Sequence, residues 1–530
     1  MSGAPRRRRA APARRRTWIP VALSALVALV VVVALTGLAH ARPGGGDTFS
    51  GGGGHGGGGG GSSGGSGDGG GWIVLIELVV RLIWLCVYYP AIGIPLTIGL
   101  AVVGIWAYRV KKGSLDWDSA AAEEQWKQEG PGVQLQRAVS LERVRKWDPD
   151  FSPILFEDFA YRLYATCHEA RHDDAVLAGL APYVADAARQ QLAAREPRAP
   201  VTAVIVGAMR PIYVTYPSDP ADPNGRLIIG LEFESNYTVQ TAKGSRTYYA
   251  IERWKLARAS AARTKPKDLT RGFPCPNCGA PWQADQTHDV QRCAYCGEVV
   301  DNGRFDWQIV DVQLVHSVTK PPTLTNDVPE RGTNLPTYRQ DGVDARWNQL
   351  IADDPALDDN ALMARITMIY AELYAAWAKN DLSTSRPYVS DGLHDYLTYW
   401  ILAYKQQGLR NCLEDMRITH STLAKITRDR WYDAVTIRIW GTGKDYVIRE
   451  ADGHRVRGSK TRDRPYSEYW TVIRSAARRG PARAERVCGN CGAPAQVGMN
   501  GACEHCGAHV TNGEFDWVLS KIEQDDTYRG

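Results

Sequence analysis

The sequence predicts an α+β protein made of two related halves. In each half, segments with helical periodicity come first and segments with strand periodicity follow, an order typical of α+β domains. A Glu-x-Trp-x-x-x-Arg pattern occurs twice, at Glu252–Arg258 and Glu468–Arg474. Each copy precedes two Cys-x-x-Cys pairs and the tripeptide Phe-Asp-Trp, which ends at Trp307 and Trp517. We therefore expect a tandem duplication, with residues 1–110 as its membrane-anchoring part.

The charge of the chain is concentrated at its N-terminus. The net charge of +5 includes seven arginines within residues 1–16, so the remainder carries 5 − 7 = −2. A nearly neutral remainder gives no support for nucleic-acid binding. Glycine is concentrated as well, with 19 of the 28 residues from Gly44 to Gly71. Such a composition predicts a flexible linker, to which we assign residues 42–71.

The first apolar segment lies in residues 1–41. A basic stretch precedes the apolar run Trp18–Ala39, and Ala39-His40-Ala41 resembles a signal-peptide cleavage site. The run is also long enough to span a bilayer as an uncleaved signal anchor. The sequence leaves both interpretations open.

The second apolar segment lies in residues 72–110. Its apolar stretch Trp72–Tyr108 would measure about 55 Å as one helix, against a hydrocarbon core of about 30 Å. We expect an interfacial part followed by a span over Ala91–Tyr108, although a hairpin of two helices is an alternative. The cations at 109–112 then place the bulk of the chain on the cytoplasmic side of the membrane, as a single-pass or double-pass protein.

The first half begins with a clear helix signal. Ser152 and Pro153 are suited to an N-cap and a first helical turn. Leu155, Phe159 and Leu163 recur every four residues and predict a face turned towards the core. We assign juxtamembrane helices to residues 111–147 and the first domain to 148–270.

The second half repeats this organisation after a linker at 321–340. Apolar residues at helical spacing run from Leu362 to Trp377, and another helix ends at Gly408. The stretch Asp433–Ile448 alternates in the manner of a strand. These features define a second domain at 341–482.

The order of these segments resembles the Tim-forty-four-like (Tim44-like) family, named for a scaffold subunit of the mitochondrial inner-membrane import translocase. The residues that carry the resemblance are Leu362–Trp377, Asp395–Gly408, Asp433–Ile448, Asp452–Lys460 and Glu468–Arg474, with weaker counterparts at Asp148–Tyr164 and Glu252–Trp254. The resemblance implies cone-like domains of the nuclear transport factor two type, with helices packed on a curved antiparallel sheet around a pocket. Bacterial members with a Gly-rich segment before one membrane span have a similar layout.

Two cysteine-rich modules follow the two domains, at 271–320 and 483–530, each ending in a return strand. Each module has the spacing of a four-thiolate structural zinc site, and four thiolates leave no open position for catalysis. Paired spacing also argues against a thioredoxin-like redox site. We predict two zinc ions, held by Cys275, Cys278, Cys293 and Cys296 and by Cys488, Cys491, Cys503 and Cys506.

Two other functions fit parts of the sequence. A pocket enzyme would use side chains such as Asp395, His420, Asp433 and Asp445, but the sequence does not show that they converge. A nucleic-acid-binding zinc ribbon is the other alternative, and it lacks cations: residues 488–517 contain no Lys or Arg.

The prediction is therefore a non-enzymatic scaffold or binding protein. Its pocketed domains are expected to bind a protein segment or lipid, with a link to protein transport that rests on the family resemblance. No nucleic-acid partner is expected. The stretch Val133–Trp147 forms either a helix packed on the first domain or a lipid-binding helix. The candidate lipid contacts are Arg137, Arg143, Arg145 and Lys146.

Overall fold

A computed structural model describes residues 88–89, 139–219, 222, 224–265, 273–283, 292–300, 302–319, 333–498, 500–525, 528 and 530. All the described residues except Tyr88 and Tyr89 belong to one compact unit. Within the described ranges, no helix is long and apolar enough to span a bilayer. The predicted membrane segments, the Gly-rich linker and Arg137 lie outside those ranges, apart from Tyr88 and Tyr89.

The described residues of the first half form a short 3-10 helix, three α-helices and four strands. Their bounds are Glu142–Lys146 for the 3-10 helix, Pro153–Ala170 (α1), Asp174–Ala178 (α2), Asp186–Ala193 (α3), Val201–Thr215 (β1), Arg226–Thr241 (β2), Gly244–Ala259 (β3) and Gln308–Thr319 (β4). The strands form one antiparallel sheet in the order β1-β2-β3-β4.

The start of α1 follows from local chemistry. The Ser152 hydroxyl accepts a hydrogen bond from the backbone N–H of Leu155 at 3.2 Å, and Pro153 occupies the first helical position. Both predicted features are confirmed. Phe159 and Leu163 are buried in the core of this half.

The first cysteine module interrupts the sheet in sequence. Strand β3 ends at Ala259 and its neighbour β4 begins only at Gln308, after the module. The two strands pair from Tyr248 with Thr319 to Ala257 with Gln308. The sheet is therefore completed by the residues that leave the cysteine module.

In the part of the second half that the structure describes, there are three α-helices, a 3-10 turn and five strands. Their bounds are Val343–Asp353 (α4), Asp359–Ala378 (α5), Arg386–Tyr388 (3-10), Asp391–Gln406 (α6), Leu409–Arg428 (β5), Tyr432–Arg449 (β6), Arg455–Gly458 (β7), Arg464–Ser475 (β8) and Val518–Gln524 (β9). The sheet has the order β5-β6-β8-β9, and β7 pairs with β6. Here too the last strand follows a cysteine module.

The alternating pattern of β6 does not mark one buried and one exposed face. Ile437 and Ile439 lie in the core as an alternating strand predicts, but Arg438 between them is also only 1% exposed. Arg438 forms an ion pair with Asp525 at 2.9 Å and donates a hydrogen bond to the carbonyl of Leu335 at 2.6 Å. Residues from outside the sheet therefore cover the second face.

Helix α1 contacts both halves. Leu155 lies in an apolar cluster with four residues of the second sheet: Tyr432, Ala434, Ile473 and Val518. The Trp431 indole N–H donates to the carbonyl of Asp150 at 2.9 Å, and Lys521 forms an ion pair with Glu157. The predicted core face of α1 is thus divided, because Leu155 packs on the second sheet while Phe159 and Leu163 pack in the first core.

Candidate metal centres and their attachment

The first module brings its four cysteines together. All four Sγ atoms, from Cys275, Cys278, Cys293 and Cys296, lie within 4.8 Å of one another. The Sγ atoms of Cys275 and Cys296 are 3.8 Å apart, and those of Cys278 and Cys293 are 3.9 Å apart. A tetrahedron with Zn–S bonds of about 2.3 Å has edges of about 3.8 Å. The spacing therefore fits a four-thiolate metal site.

The second module has the same geometry. Its four Sγ atoms also lie within 4.8 Å of one another, and those of Cys488 and Cys506 are 3.9 Å apart. In each module an asparagine amide lies 3.5 Å from the last sulfur: Asn277 from Cys296, and Asn490 from Cys506. A donor at this position favours a negatively charged sulfur.

The turn after each first cysteine pair requires glycine. Gly279 has a φ of 75° and its N–H donates to the carbonyl of Cys275 at 2.9 Å. Gly492 has a φ of 74° and makes the same bond to Cys488 at 2.9 Å. This left-handed backbone favours glycine.

The backbone around the sulfurs favours thiolates. The N–H of Glu298 lowers the pKa of Cys296 to about 7, and the N–H of Ala508 lowers that of Cys506 to about 6. Burial raises the pKa of Cys275 to about 12. A bound metal would hold all four sulfurs as thiolates and release the protons they carry. The donor set fits zinc.

The residue that closes each module stacks on an arginine of the preceding domain. The Arg258 guanidinium lies 4.7 Å from the ring centre of Trp307, and its Nη2 is 2.7 Å from a carboxylate oxygen of Asp148. Arg474 lies 4.7 Å from the ring centre of Trp517, and its Nη1 is 3.0 Å from Asp354. Both aspartates precede the long helix of their half, so each arginine connects module and helix.

The other two residues of the repeated pattern also make equivalent contacts. The Trp254 indole N–H donates to Glu252 at 2.7 Å, and that of Trp470 donates to Glu468 at 2.9 Å. Both indoles are buried in the cores. The Glu-x-Trp-x-x-x-Arg pattern thus places three side chains on one strand: a glutamate that accepts a buried hydrogen bond, a tryptophan in the core, and an arginine that contacts both the module and the helix.

Backbone hydrogen bonds fix each module at the same points. The carbonyl of Gly303 accepts from the N–H of Ala259 at 2.8 Å, and that of Gly513 accepts from Ser475 at 2.8 Å. In addition, the strand after each module makes one parallel bridge to a preceding loop, Ile309 with Val184 and Leu519 with Val389.

The second module also contacts helix α6 and helix α5. The Thr511 hydroxyl donates to Asp391 at 2.8 Å, and His509 Nε2 lies 3.3 Å from the same carboxylate. These donors, with Arg386, hold the pKa of Asp391 well below its ordinary value although burial opposes them. Arg486 pairs with Glu372 at 2.5 Å.

The interior of the second half contains a layer of aromatic rings. Aromatic rings occupy the space between helices and sheet, and they pack against one another, as Tyr370 does on Tyr374 at 4.3 Å and on Trp470 at 5.6 Å. Trp377 and Trp400 extend this layer and are at most 2% exposed.

The four candidate catalytic residues do not converge. Asp433 and Asp445 are buried twelve residues apart on β6, which is about 40 Å along a strand. Asp433 accepts from Arg428 at 2.9 Å, and Asp445 pairs with Arg464 at 3.2 Å. Asp395 and His420 are exposed. The structure brings none of them into a common site.

The candidate lipid contacts lie at the start of the first half. The stretch Glu142–Lys146 is a 3-10 helix, and its Val144 is buried in the first core. Arg143 and Lys146 are exposed, whereas Arg145 is half-buried and donates to the carbonyl of Phe151 at 3.2 Å. The described part of this stretch is therefore packed on the first half, and the side chains of Arg143 and Lys146 are exposed to solvent.

Comparison with known proteins supports the family resemblance in the second half. Residues 344–482 match the family model of the Tim44-like domain. No curated protein matches the chain. The match begins in α4 and ends after β8, so it includes the helices and most of the sheet of the second half and precedes its cysteines. The second half is therefore similar to the Tim44-like family over residues 344–482.

Proposed function

We propose that this protein is a membrane-anchored, non-catalytic scaffold with two tandem Tim44-like domains, each fixed by a zinc ribbon. The domains bind a protein segment or lipid at the cytoplasmic face of the membrane, in a process linked to protein transport. The observation that carries the proposal is the Tim44-like match at 344–482. A scaffold role is the general property of such domains.

Repeated contacts support the tandem arrangement. The first half lies outside the family match, yet it shares the Arg–Trp stack, the Glu–Trp hydrogen bond and the module attachment with the second half. Three separate contacts that recur at equivalent positions are the pattern expected from duplication of one domain with its module.

The metal modules act in this proposal as structural parts. Each tetrad has four sulfurs at tetrahedral spacing and no place for a substrate ligand. Each also attaches to the strand before it and supplies the strand after it. Two zinc ions would therefore stabilise the sheets and leave the surfaces of the domains for binding.

In this proposal the binding surfaces lie on the outside of the domains. A scaffold binds through exposed helices, sheet faces and strand edges, and the exposed cations Arg143 and Lys146 suit the anionic headgroups of a membrane close to the anchor. Arg137 and Arg145 complete the proposed lipid-contacting set.

Photocrosslinking in membranes tests the proposal. The full-length protein, with a photoreactive residue at an exposed position such as Leu402, is crosslinked in its native membrane and purified with its bound zinc measured. We expect about two zinc ions per chain and a reproducible protein or lipid adduct. Absence of zinc together with absence of any adduct at several exposed positions would contradict the proposal.

A further inference from the structure

The interior of the first half contains a buried cluster of charged side chains. Glu252 is fully buried and accepts from the Trp254 indole at 2.7 Å. Arg195, whose side chain is 8% exposed, forms an ion pair with the same carboxylate. His168 Nε2 lies 3.4 Å from Glu252 Oε1, and burial lowers the pKa of this imidazole, so it adds no charge near neutral pH. The single carboxylate is therefore already shared by three groups.

A second arginine of this cluster has no carboxylate. Arg171 is 2% exposed and forms no ion pair with any described residue. Its Nη1 makes a long hydrogen bond of 3.5 Å to the carbonyl of Arg195, and its guanidinium lies 5.3 Å from the ring centre of Tyr237. Its Nε and Nη2, and Nη2 of Arg195, have no hydrogen-bond partner in the part of the chain that the structure describes.

The positions of the second half that correspond to Arg171 and Arg195 carry no charge. The N-caps Ser152 and Asp358 of the long helices differ by 206 in number, which places Arg171 opposite Trp377. The bridged residues Val184 and Val389 differ by 205, which places Arg195 opposite Trp400. By this numbering, buried tryptophans correspond to the two arginines, although Trp400 lies within α6 and Arg195 lies just after α3.

The charge balance of the cluster is therefore positive. Two guanidiniums face one carboxylate, and burying an unpaired cation destabilises a protein unless an anion compensates it. Burial lowers the pKa of Arg171, and repulsion from Arg195 lowers it further, although Tyr237 and the Glu252 carboxylate oppose them. Arg171 is the C-cap of α1 and lies two residues before the exposed Asp173. Arg195 lies just after α3 and directly before the exposed Glu196.

We propose that Arg171 and Arg195 bind the oxyanion group, a carboxylate or a phosphate, of a small ligand at this end of the first half. The planar guanidinium fork matches either group with two parallel hydrogen bonds. The donors without partners supply such bonds, and Tyr237 provides an aromatic wall beside them. The second half, with tryptophans at these positions, does not bind such a group there.

Hydrogen exchange of the full-length protein in an uncharged detergent tests this site. Exchange is compared in sodium chloride, in inorganic phosphate and in acetate at one ionic strength. Peptides that cover 164–171 and 192–196 report on the site. Amides that exchange only when this region opens should exchange about tenfold more slowly at an anion concentration ten times Kd, because the anion binds only the closed form. The phosphate and acetate samples distinguish the two oxyanion classes.

Variants separate binding from a structural role. Arg171→Met should fold, because the second half tolerates an apolar side chain at this position, and it should lose the protection by either anion. Arg162→Met is the matched control, since Arg162 lies on the same helix with a side chain 34% exposed, and it should keep the protection. Arg171→Lys, which retains the charge but not the fork, should keep only part of it.

Two results would overturn the proposal. One is that neither phosphate nor acetate protects the wild-type peptides more than chloride does. The other is equal protection of wild type and Arg171→Met. The wild-type comparison remains decisive even where Arg171→Met does not fold.

Discussion

Arg474 lies 4.7 Å from the ring centre of Trp517, and Arg258 lies at the same 4.7 Å from Trp307. Each stack joins a strand that precedes a cysteine module to the residue that leaves it. Each arginine also forms an ion pair with an aspartate ahead of the long helix of its half. Helix, sheet and metal module therefore meet at one buried guanidinium in each half.

Removal of this guanidinium should strongly destabilise the second half. Arg474→Gln leaves the carboxylate of Asp354, which is 3% exposed, without its cation, and loss of one partner of a buried ion pair costs about 3–5 kcal/mol. The free energy of unfolding from urea titration measures the effect. Arg417→Gln, which removes an exposed ion pair with Asp463, should change it by less than about 1 kcal/mol. An equal loss of unfolding free energy in both variants would contradict a stabilising role of the Arg474 contacts.

Each cysteine tetrad should bind one zinc ion independently of the other. We expect about two zinc ions per chain in wild type and about one in Cys488→Ser/Cys491→Ser, because each tetrad closes its own site. Chelation should lower the melting temperature. Cys412→Ala removes a buried cysteine outside both tetrads and should leave the zinc content unchanged. Wild-type zinc content in the double variant would refute the assignment.

Helix α1 should couple the two halves. Leu155→Ala removes a side chain that packs on the second sheet, and truncation of a buried leucine costs about 2–5 kcal/mol. We expect faster hydrogen exchange in Tyr432, Ala434 and Ile473 of the second half although the substitution lies in the first. Leu402→Ala, at a side chain 50% exposed, is the control. Unchanged exchange in the second sheet would show that this contact does not couple the halves.

The buried carboxylate Glu252 should make the first half sensitive to acid. His168 and Arg195 lower its pKa from 4.5 to about 2 although burial opposes them. A lowered folded pKa contributes stability that is present above pH 4.5 and is lost as pH falls towards 2. The difference in unfolding free energy between wild type and Glu252→Gln should therefore shrink over that range. A difference that stays constant from pH 4.5 to pH 2 would contradict this role of Glu252.

The proposed lipid contact should depend on membrane charge. In full-length protein reconstituted into nanodiscs, anionic lipid should slow hydrogen exchange at Glu142–Lys146 relative to neutral lipid. Replacement of Arg137, Arg143, Arg145 and Lys146 by Gln should abolish this difference. Replacement of Arg417 and Arg455, which lie on the second half, should not. A difference that survives the fourfold replacement would exclude this stretch as the lipid contact.

Local signals determined much of what the sequence could predict. Ser152 and Pro153 mark the start of α1 because an N-cap depends only on adjacent residues. The two cysteine tetrads were predictable because ligand spacing encodes a metal site almost without reference to the rest of the fold. The order of segments in the second half was enough to predict the similarity to the Tim44-like domain that the family model matches at 344–482.

Contacts between distant residues were decided only by the tertiary structure. The periodicity of α1 identifies apolar residues but does not say which core receives them, so the docking of Leu155 on the second sheet could not be read from it. The covered second face of β6 depends on Leu335 and Asp525, which are far from Arg438 in sequence. The unpaired Arg171 gives no sequence signal, because a pattern shows that an arginine is present but not whether a carboxylate lies beside it. The sequence alone determined the local caps, metal ligands and repeated segments, whereas the burial and pairing of charges depend on long-range packing.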